Sequence, residues 1–588
     1  MTRLDFVLVF ILLGLARESA GQVFSFVDSF ETESILTEST GVSVADYDLD
    51  GDLDIFLVSG KVFHTDDPLS WSRLLRNDPE GFVDVTFDAK LYYIQEKPRT
   101  GTEGSKMGAS WGDYDNDGYP DLYLTVYGYN QLWHNNGNGT FENVTEEKGV
   151  AGCYACYSAN GLWWDYDQDG DLDLYVSNWI KENVLYKNQG NGSFEDISIA
   201  SRLNDAGRTF TALPMDVDGD GLLDLYVIND AGANNFFRNL GNDRFEEITQ
   251  QVGLSDIGDG MGVDVGDYNL DGHFDIYVTN IYYFYPNAFF VNNGDGSFSN
   301  RSRELGIDNT GTGWGIRFFD VEHDMDEDMY VVNGKNTFYA KGDRNKLFLN
   351  VDEIYSDASA ASGLDNLEMG KGLETLDYDQ DGDLDLVIAN QDAHSQLIQN
   401  KTVEIGNKSN WIQIWLEGTT SNRDAIGSVV RIECGGKSYF RYHTGTNLLG
   451  QSLKPVHFGL ADHEFINLIE VTWPDGKKEL IRDIAANQVI RLKEGTLESA
   501  GDIGPLSTSS TELSIKVFPN PFNNYLEVWT DVSSTFSLYS LTGQLIHQES
   551  ALPAAEPFIV PTITLEAGLY FYQLHGSNSV YSGILIKR

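Results

Sequence analysis

Asp165, Asp167 and Asp169 stand two residues apart, Gly170 follows, and Asp173 closes the set as the chain turns into the run Leu174-Tyr175-Val176. Carboxylates at loop positions one, three and five converge only when the backbone coils around a common centre, where a hard cation such as calcium takes about six to eight oxygens. The coil needs a left-handed residue at position six, which glycine adopts without steric cost. Position seven then offers its carbonyl, and position nine a further carboxylate. An EF-hand loop would run on to a bidentate Glu at position twelve between two helices. Here position twelve is Val176, so the motif reads as a calcium loop joining two strands.

The motif recurs. Its first copy carries Asp46, Asp48, Asp50, Asp52 and Asp54; its second Asp113, Asp115, Asp117, Tyr119 and Asp121; the third, already described, also has Asp171 at position seven. The fourth carries Asp216, Asp218, Asp220, Leu222 and Asp224, the fifth Asp267, Asn269, Asp271, His273 and Asp275, and the seventh Asp377, Asp379, Asp381, Asp383 and Asp385. The sixth departs from the pattern: it carries Asp320, Glu322, Asp324, Asp326 and Asp328, with Met325 where the others have glycine. A left-handed methionine is costly, so this loop is expected to bind weakly or stay empty. Asn269 removes one charge from the fifth loop and is expected to lower its affinity. About six or seven calcium ions are expected in all.

The loop starts are separated by 67, 52, 51, 51, 53 and 57 residues. After each loop come an apolar strand, a variable connection, a short strand, and a turn such as Asn188-Gln-Gly-Asn-Gly-Ser-Phe194. Four short strands per roughly 50 residues, repeated, are the signature of propeller blades. The fold class is therefore all-β, with a seven-bladed β-propeller over residues 22–400. The seventh unit ends at Asn400 without a fourth strand, and Phe24–Asp28 is expected to supply it and remove two open edges.

These repeats resemble the FG-GAP/VCBS repeats of integrin-α-type propellers. Residues 401–500 change character: Asn410-Trp411, Ser421-Asn422-Arg423-Asp424-Ala425-Ile426-Gly427, His457-Phe458-Gly459-Leu460 and Trp473-Pro474-Asp475-Gly476 resemble the ASPIC/UnbV domain that follows such propellers in the cartilage acidic protein family. Its pattern reads as an antiparallel β domain. Residues 501–512 are small and polar, a linker. Residues 513–588, with Val517-Phe518-Pro519-Asn520-Pro521-Phe522, Ala567-Gly568-Leu569-Tyr570 and a final Lys587-Arg588, are similar to the sorting domain of the type IX secretion system of Bacteroidota, expected as a small β-sandwich. That resemblance implies the type IX machinery as a partner and a secreted or cell-surface destination.

Composition agrees with export. Residues 1–21 read as a signal peptide, with Arg3, an apolar core over Phe6–Leu15 and small residues at Ser19-Ala20-Gly21. No later stretch has 18 consecutive apolar residues, so no transmembrane segment is expected. A net charge of −51 argues against nucleic acid and anionic membrane surfaces. The 41% hydrophobic content indicates a folded chain despite that charge. Cys153 and Cys156 are expected to be a local disulfide or idle thiols rather than a redox pair, and Cys434 a buried small hydrophobe.

The ions are expected to brace blades, since protein fills their ligand shells. No metalloprotease, serine-hydrolase or P-loop motif is present in the sequence. Connections after the second strand of each blade emerge on the face opposite the metal loops. There Tyr127, Tyr129, Trp179, Tyr282, Tyr283, Tyr285 and Tyr339 could stack on sugars or grip a protein, although packing between blades is the commoner fate of such rings. The reading is an exported, calcium-stabilised binding or adhesion protein, expected to be monomeric, with a glycan or protein ligand and no catalytic residues. The alternative is a secreted polysaccharide-acting enzyme with its site in the propeller mouth.

Overall fold

The computed structural model describes residues 24–27, 39–60, 71–92, 105–281, 285–308, 311–336, 341–391, 393–402 and 409–499, together with strands between 516 and 587. The candidate signal peptide and the linker lie outside the described residues. The chain forms two compact units, residues 1–500 and 501–588.

The repeat becomes a four-stranded antiparallel sheet. In the third repeat its strands are Tyr157–Trp164, Asp173–Ile180, Val184–Asn188 and Phe194–Asp196, and six other sheets share this order. Second strands such as Asp224–Asn229 and Asp275–Asn280 are buried at every residue, because neighbouring sheets cover both faces. First strands of successive sheets pack side by side, and Gly370–Leu376 packs against Ser39–Ala45, so the row closes into a propeller ring. Phe24–Phe26 is the fourth strand of the last sheet: Phe24 pairs with Asn400 and Phe26 with Ile398.

Residues 409–499 form a mixed rather than wholly antiparallel domain. Trp411–Glu417 runs antiparallel to Val456–Gly459 but parallel to Gln488–Lys493. A second sheet is built on Ser428–Cys434 between Lys437–His443 and Phe465–Thr472. The parallel pair arises because the strand closing the domain returns beside the one that opened it, after a long connection.

This domain enters the propeller. Residues 444–454 lie within the ring of first strands, where Gly450 and Gln451 pair in parallel with Ala109 and Ser110. Gln451 bridges the backbone of Trp163, accepting from its N–H at 2.7 Å and donating to its carbonyl at 2.9 Å. Leu453 N–H donates to Val44 O at 2.9 Å, and Asn447 Nδ2 donates to Val42 O at 3.1 Å. The approach is close: a Cβ on Gly41 would sit 2.4 Å from Leu449 O. Leu448 and Leu449, at the tip, are buried among Met107, Ala159, Phe210 and Met261.

Charge locks the insertion. Fully buried Glu374 accepts from Lys454 Nζ at 2.6 Å, Arg317 Nη2 at 2.5 Å, Ser452 Oγ at 2.7 Å and Asn447 Nδ2 at 2.6 Å. Burial opposes its ionisation, but Arg317 and Lys454 outweigh that and hold its carboxyl down at about 2. The C-terminal unit is a three-stranded and a four-stranded antiparallel sheet.

Glu374→Gln leaves buried Lys454 without its carboxylate partner and Arg317 with Asp264 alone, at 3.4 Å, and should destabilise the protein by about 3 kcal/mol in urea unfolding at neutral pH. The depressed pKa stabilises the parent above the ordinary glutamate value, and that contribution is lost as pH falls toward about 2. The stability gap between parent and variant should therefore shrink over that acidic window.

Candidate metal centres

Each acidic loop joins the first and second strands of its sheet, and hydrogen bonds set its coil. The position-one carboxylate accepts the position-six N–H, as in Gly170 to Asp165 Oδ2 at 3.1 Å and Gly272 to Asp267 Oδ2 at 3.0 Å. Position five accepts from the N–H of position seven, as in Asp171 to Asp169 Oδ1 at 3.1 Å. Gly170 has φ +91°, as expected, but position four is left-handed too, with Gln168 at +60° and Leu49 at +61°. Sequence reasoning missed that second turn because side chains as different as Leu, Gln, Asn and His occupy it.

Asp46, Asp48 and Asp50 present oxygens within 4.8 Å of one another, as do Asp113, Asp115 and Asp117, Asp165, Asp167 and Asp173, and Asp216, Asp218 and Asp224. Four such carboxylates repel by about 4 kcal/mol per pair at 4 Å and an effective dielectric near 20. Several of their oxygens are buried with no hydrogen-bond partner: Asp46 Oδ1, Asp48 Oδ1, Asp115 Oδ1, Asp121 Oδ2 and Asp167 Oδ1. A buried oxygen without a donor is costly, and a cation satisfies it. The all-oxygen donor set fits a hard divalent ion.

Position nine does double duty. Asp173 Oδ2 accepts the Tyr166 N–H at 3.4 Å, while Oδ1 accepts the Asn188 N–H at 2.8 Å. The same acceptance from an asparagine ending the third strand recurs at Asn77, Asn135, Asn239, Asn292, Asn350 and Asn400. The asparagine side chain then reaches the preceding sheet, as in Asn188 Nδ2 to Tyr114 O at 2.8 Å and Asn239 Nδ2 to Tyr166 O at 2.8 Å. These asparagines read in the sequence as turn formers; their recurrence just before each Gly-rich turn was the available signal. Burial pushes the position-nine carboxyls up, Asp224 to about 7, Asp275 to about 8 and Asp54 to about 9.

Position-seven side chains turn away from the loop centre except in the sixth loop, where Asp326 faces Asp324, Asp320 and Glu322. Asp171 accepts from Asn116 Nδ2 of the preceding loop at 2.8 Å, Asp52 pairs with Gln380, and Asp383 lies 3.5 Å from His323. Tyr119 and His273 lie against Gly137 and Gly294 of their own sheets. In the fifth loop Asn269 Oδ1 is buried without a partner. The sixth loop explains its own irregularity: Met325 keeps the left-handed conformation, φ +85°, and is 3% exposed. Its side chain joins Ile412, Ile414 and Phe458 in the core of the second domain.

The second domain covers this face. Asp424 accepts the Asp113 N–H at 2.8 Å, Gln413 Nε2 donates to Asp377 Oδ2 at 2.6 Å, and Ala461 N–H donates to His323 O at 2.8 Å. A groove of about 620 Å³ remains between the fourth and fifth loops and the second domain.

On the opposite face the candidate rings divide. Tyr127 packs against Tyr157 at 4.9 Å, and Trp179 stands edge-on to Tyr157 at 5.6 Å while donating Nε1–H to Asp230 at 2.6 Å. Tyr129 is 50% exposed and Tyr285 38%. Tyr154, absent from the sequence-based candidates, is 38% exposed beside Tyr129, on the loop that the Cys153–Cys156 disulfide closes. Tyr282, Tyr283 and Tyr339 lie outside the described residues. The propeller mouth of the enzyme alternative is where residues 444–454 insert.

Family models match three stretches of the chain. The FG-GAP-like repeat matches residues 113–161, 165–227 and 216–278; ASPIC and UnbV matches 418–499; and the secretion system C-terminal sorting domain matches 516–588. Cartilage acidic protein 1 of Xenopus tropicalis is 24% identical over 74% of this chain and 70% of its own length, and that of Homo sapiens 23% over 76% and 70%. Among solved structures, an Agrocybe aegerita lectin recognising non-reducing terminal N-acetylglucosamine aligns at TM-score 0.35 and 16% identity, covering 61% of this chain and 87% of its own. YCF48 bound to D1 peptide aligns at TM-score 0.35 and 8% identity, covering 65% and 98%.

Asn188→Ala removes the tie between the third and second sheets and strands two buried carbonyls. It should cost about 2–3 kcal/mol in denaturant unfolding, whereas alanine at exposed Asn191, in the adjacent turn, should cost less than about 1 kcal/mol.

Proposed function

We infer that this chain, which joins FG-GAP-like repeats to an ASPIC/UnbV domain and a type IX sorting domain, is an exported calcium-stabilised binding protein. The sorting domain supports secretion or display at the cell surface. No helix among the described residues is long and apolar enough to cross a membrane. The observation that carries the reading is the division of the propeller's faces: the second domain covers most of the metal-loop face and fills the ring. The opposite face keeps its inter-strand loops, with Tyr129, Tyr154 and Tyr285 exposed.

Calcium suits the metal loops better than magnesium, which sheds water reluctantly and prefers strict octahedral sites. Its role is structural. Without an ion, acids with raised pKa values favour the folded state fully below their ordinary value near 4, and that contribution is lost as pH rises through about 7–9. The melting temperature in chelator should therefore fall between pH 5 and 8, while calcium should flatten that fall and raise the melting point at pH 7.5 by more than about 10 °C. Equal melting curves with and without calcium would remove the metal from the account.

The exposed tyrosines fit a glycan ring or the apolar part of a protein partner. A glycan array probed with calcium-loaded protein should give hits that weaken at least about tenfold in the double variant Tyr129→Ala/Tyr154→Ala, without a change in melting temperature. Hits that survive the double variant unchanged would place recognition elsewhere.

A further inference from the structure

We propose that in the second, third, fourth, fifth and seventh loops the residue preceding the third-strand asparagine belongs to the metal site and sets its affinity. In the first loop the corresponding Arg76 is held by Asp78 at 2.7 Å instead, and in the sixth the residue is Leu349. The proposal rests on the calcium reading and goes beyond it by assigning affinity to side chains outside the acidic motif.

In the third loop Asp167 is divided between two tasks. Its Oδ2 lies 2.6 Å from Lys187 Nζ, and its Oδ1 is buried without a partner. The second loop repeats the split: Asp115 Oδ2 is 3.4 Å from His134 Nδ1, and its Oδ1 is buried and unpartnered. In the fourth loop Arg238 Nη1 stands 3.8 Å from Asp218 Oδ2, and in the seventh Gln399 Nε2 donates to Asp379 Oδ2 at 2.7 Å. The third strand thus brings a donor or cation to the outer oxygen of the position-three side chain, within hydrogen-bond distance in the third and seventh loops. The pair is looser in the second and fourth, where His134 and Arg238 lie nearer to Asp121, at 3.2 Å, and Glu246, at 3.1 Å. Independent of this pairing, Asp46 and Asp121, 4% and 0% exposed, each keep one oxygen without a donor.

The fifth loop supplies the internal control. There the third-strand residue is Val291, 5% exposed, and position three is Asn269 rather than Asp. Asn269 Oδ1 is buried without a partner, as the inner aspartate oxygens are, while Nδ2 donates to Asp271 Oδ2 at 2.8 Å. The cation and the charge it opposes are lost together. Four carboxylates with Lys187 or Arg238, and three carboxylates with Val291, leave the same three net negative charges around the ion. The seventh loop, with neutral Gln399, keeps four. Asn269 is therefore the neutral counterpart of an Asp–Lys pair and not a defect of its loop.

A fixed cation beside the ion repels it, and before the ion arrives the same cation relieves repulsion among the carboxylates. Lys187 and Arg238 accordingly stabilise the metal-free loops and weaken their calcium sites, and the seventh site is the tighter one.

The test is calcium calorimetry and melting in chelator and in calcium, on the full-length protein. Lys187→Met should tighten one site by about tenfold and lower the melting point in chelator more than in calcium. Lys187→Arg should behave as the parent. Gln399→Lys should do the opposite, weakening one site by about tenfold and raising the melting point in chelator. Lys187 also contacts Asp243 at 2.8 Å, so a variant that lowers both melting points equally with unchanged affinities would reduce it to a structural contact and overturn the proposal. A weaker site in Lys187→Met would overturn it as well. Absence of calcium binding by the parent would instead defeat the calcium reading itself, before any variant is compared.

Discussion

The ring hangs on a buried carboxylate. The position-nine aspartates sit at the start of second strands with almost no exposure, Asp121 and Asp385 at 0%. One oxygen takes the N–H of the third-strand asparagine and, in six of the seven loops, the other takes the N–H of position two. In the second loop that other oxygen, Asp121 Oδ2, has no donor at all. Each aspartate therefore fixes the loop to its own sheet, and in six of the seven sheets the asparagine amide carries the link to the sheet before it, Asn292 bonding only Phe274 of its own sheet. A carboxylate so placed is held by backbone donors only in part; burial still raises its pKa, and its neighbours in the loop raise it further. The fold puts its most strained electrostatics at the joints between sheets, where a cation relieves strain and couples neighbours in one step.

The second domain turns this arrangement into a floor. It touches the loops through charge, through backbone and through apolar contact, and each mode leaves a mark on the repeat. Met325 and His323 look like decay of the metal motif until the second domain is in place. Met325 fills part of that domain's core, and the His323 carbonyl receives the Ala461 N–H. The left-handed methionine is affordable because burial of a large apolar side chain, about 2 kcal/mol, offsets a backbone cost of similar size.

Much of this was legible in the sequence. The loop spacing alone gave the repeat, the strand order within each sheet and the return of Phe24–Phe26 to the last sheet, because a four-strand unit with one missing strand leaves an edge to be paired. The domain insertion was not legible: Thr444-Gly-Thr-Asn-Leu-Leu-Gly-Gln-Ser-Leu-Lys454 reads as a surface loop, and nothing local says that its polar side chains will meet the backbones of three first strands. The partner of each such contact lies hundreds of residues away, as with Gln451 and Trp163. The parallel pair of the second domain was missed for the same reason, since alternation in a strand reports burial and not direction. The aromatic candidates were half legible. Among the described candidates Tyr127 and Trp179 pack while Tyr129 and Tyr285 are exposed, and the sequence could not separate them, because whether a ring packs depends on a neighbour such as Tyr157, which for Tyr127 comes from the next sheet.

The two halves of the first unit consequently share one stability. Gln413 holds an oxygen of Asp377, Arg423 lies 3.5 Å from Asp113, and Arg491 lies 3.7 Å from Asp46, all of them position-one carboxylates. An ion that draws these carboxylates inward leaves their outer lone pairs facing the second domain in a fixed geometry. Without an ion the carboxylates of each loop repel one another beneath these three contacts. The insertion through the ring carries the constraint onward, because Glu374 and Lys454 tie the inserted segment to the first strands from within. First strands that end at these contacts also pack against Leu448 and Leu449, beside Trp179. Ions bound in these loops would act on the scaffold from which the exposed tyrosines project and not on the tyrosines themselves.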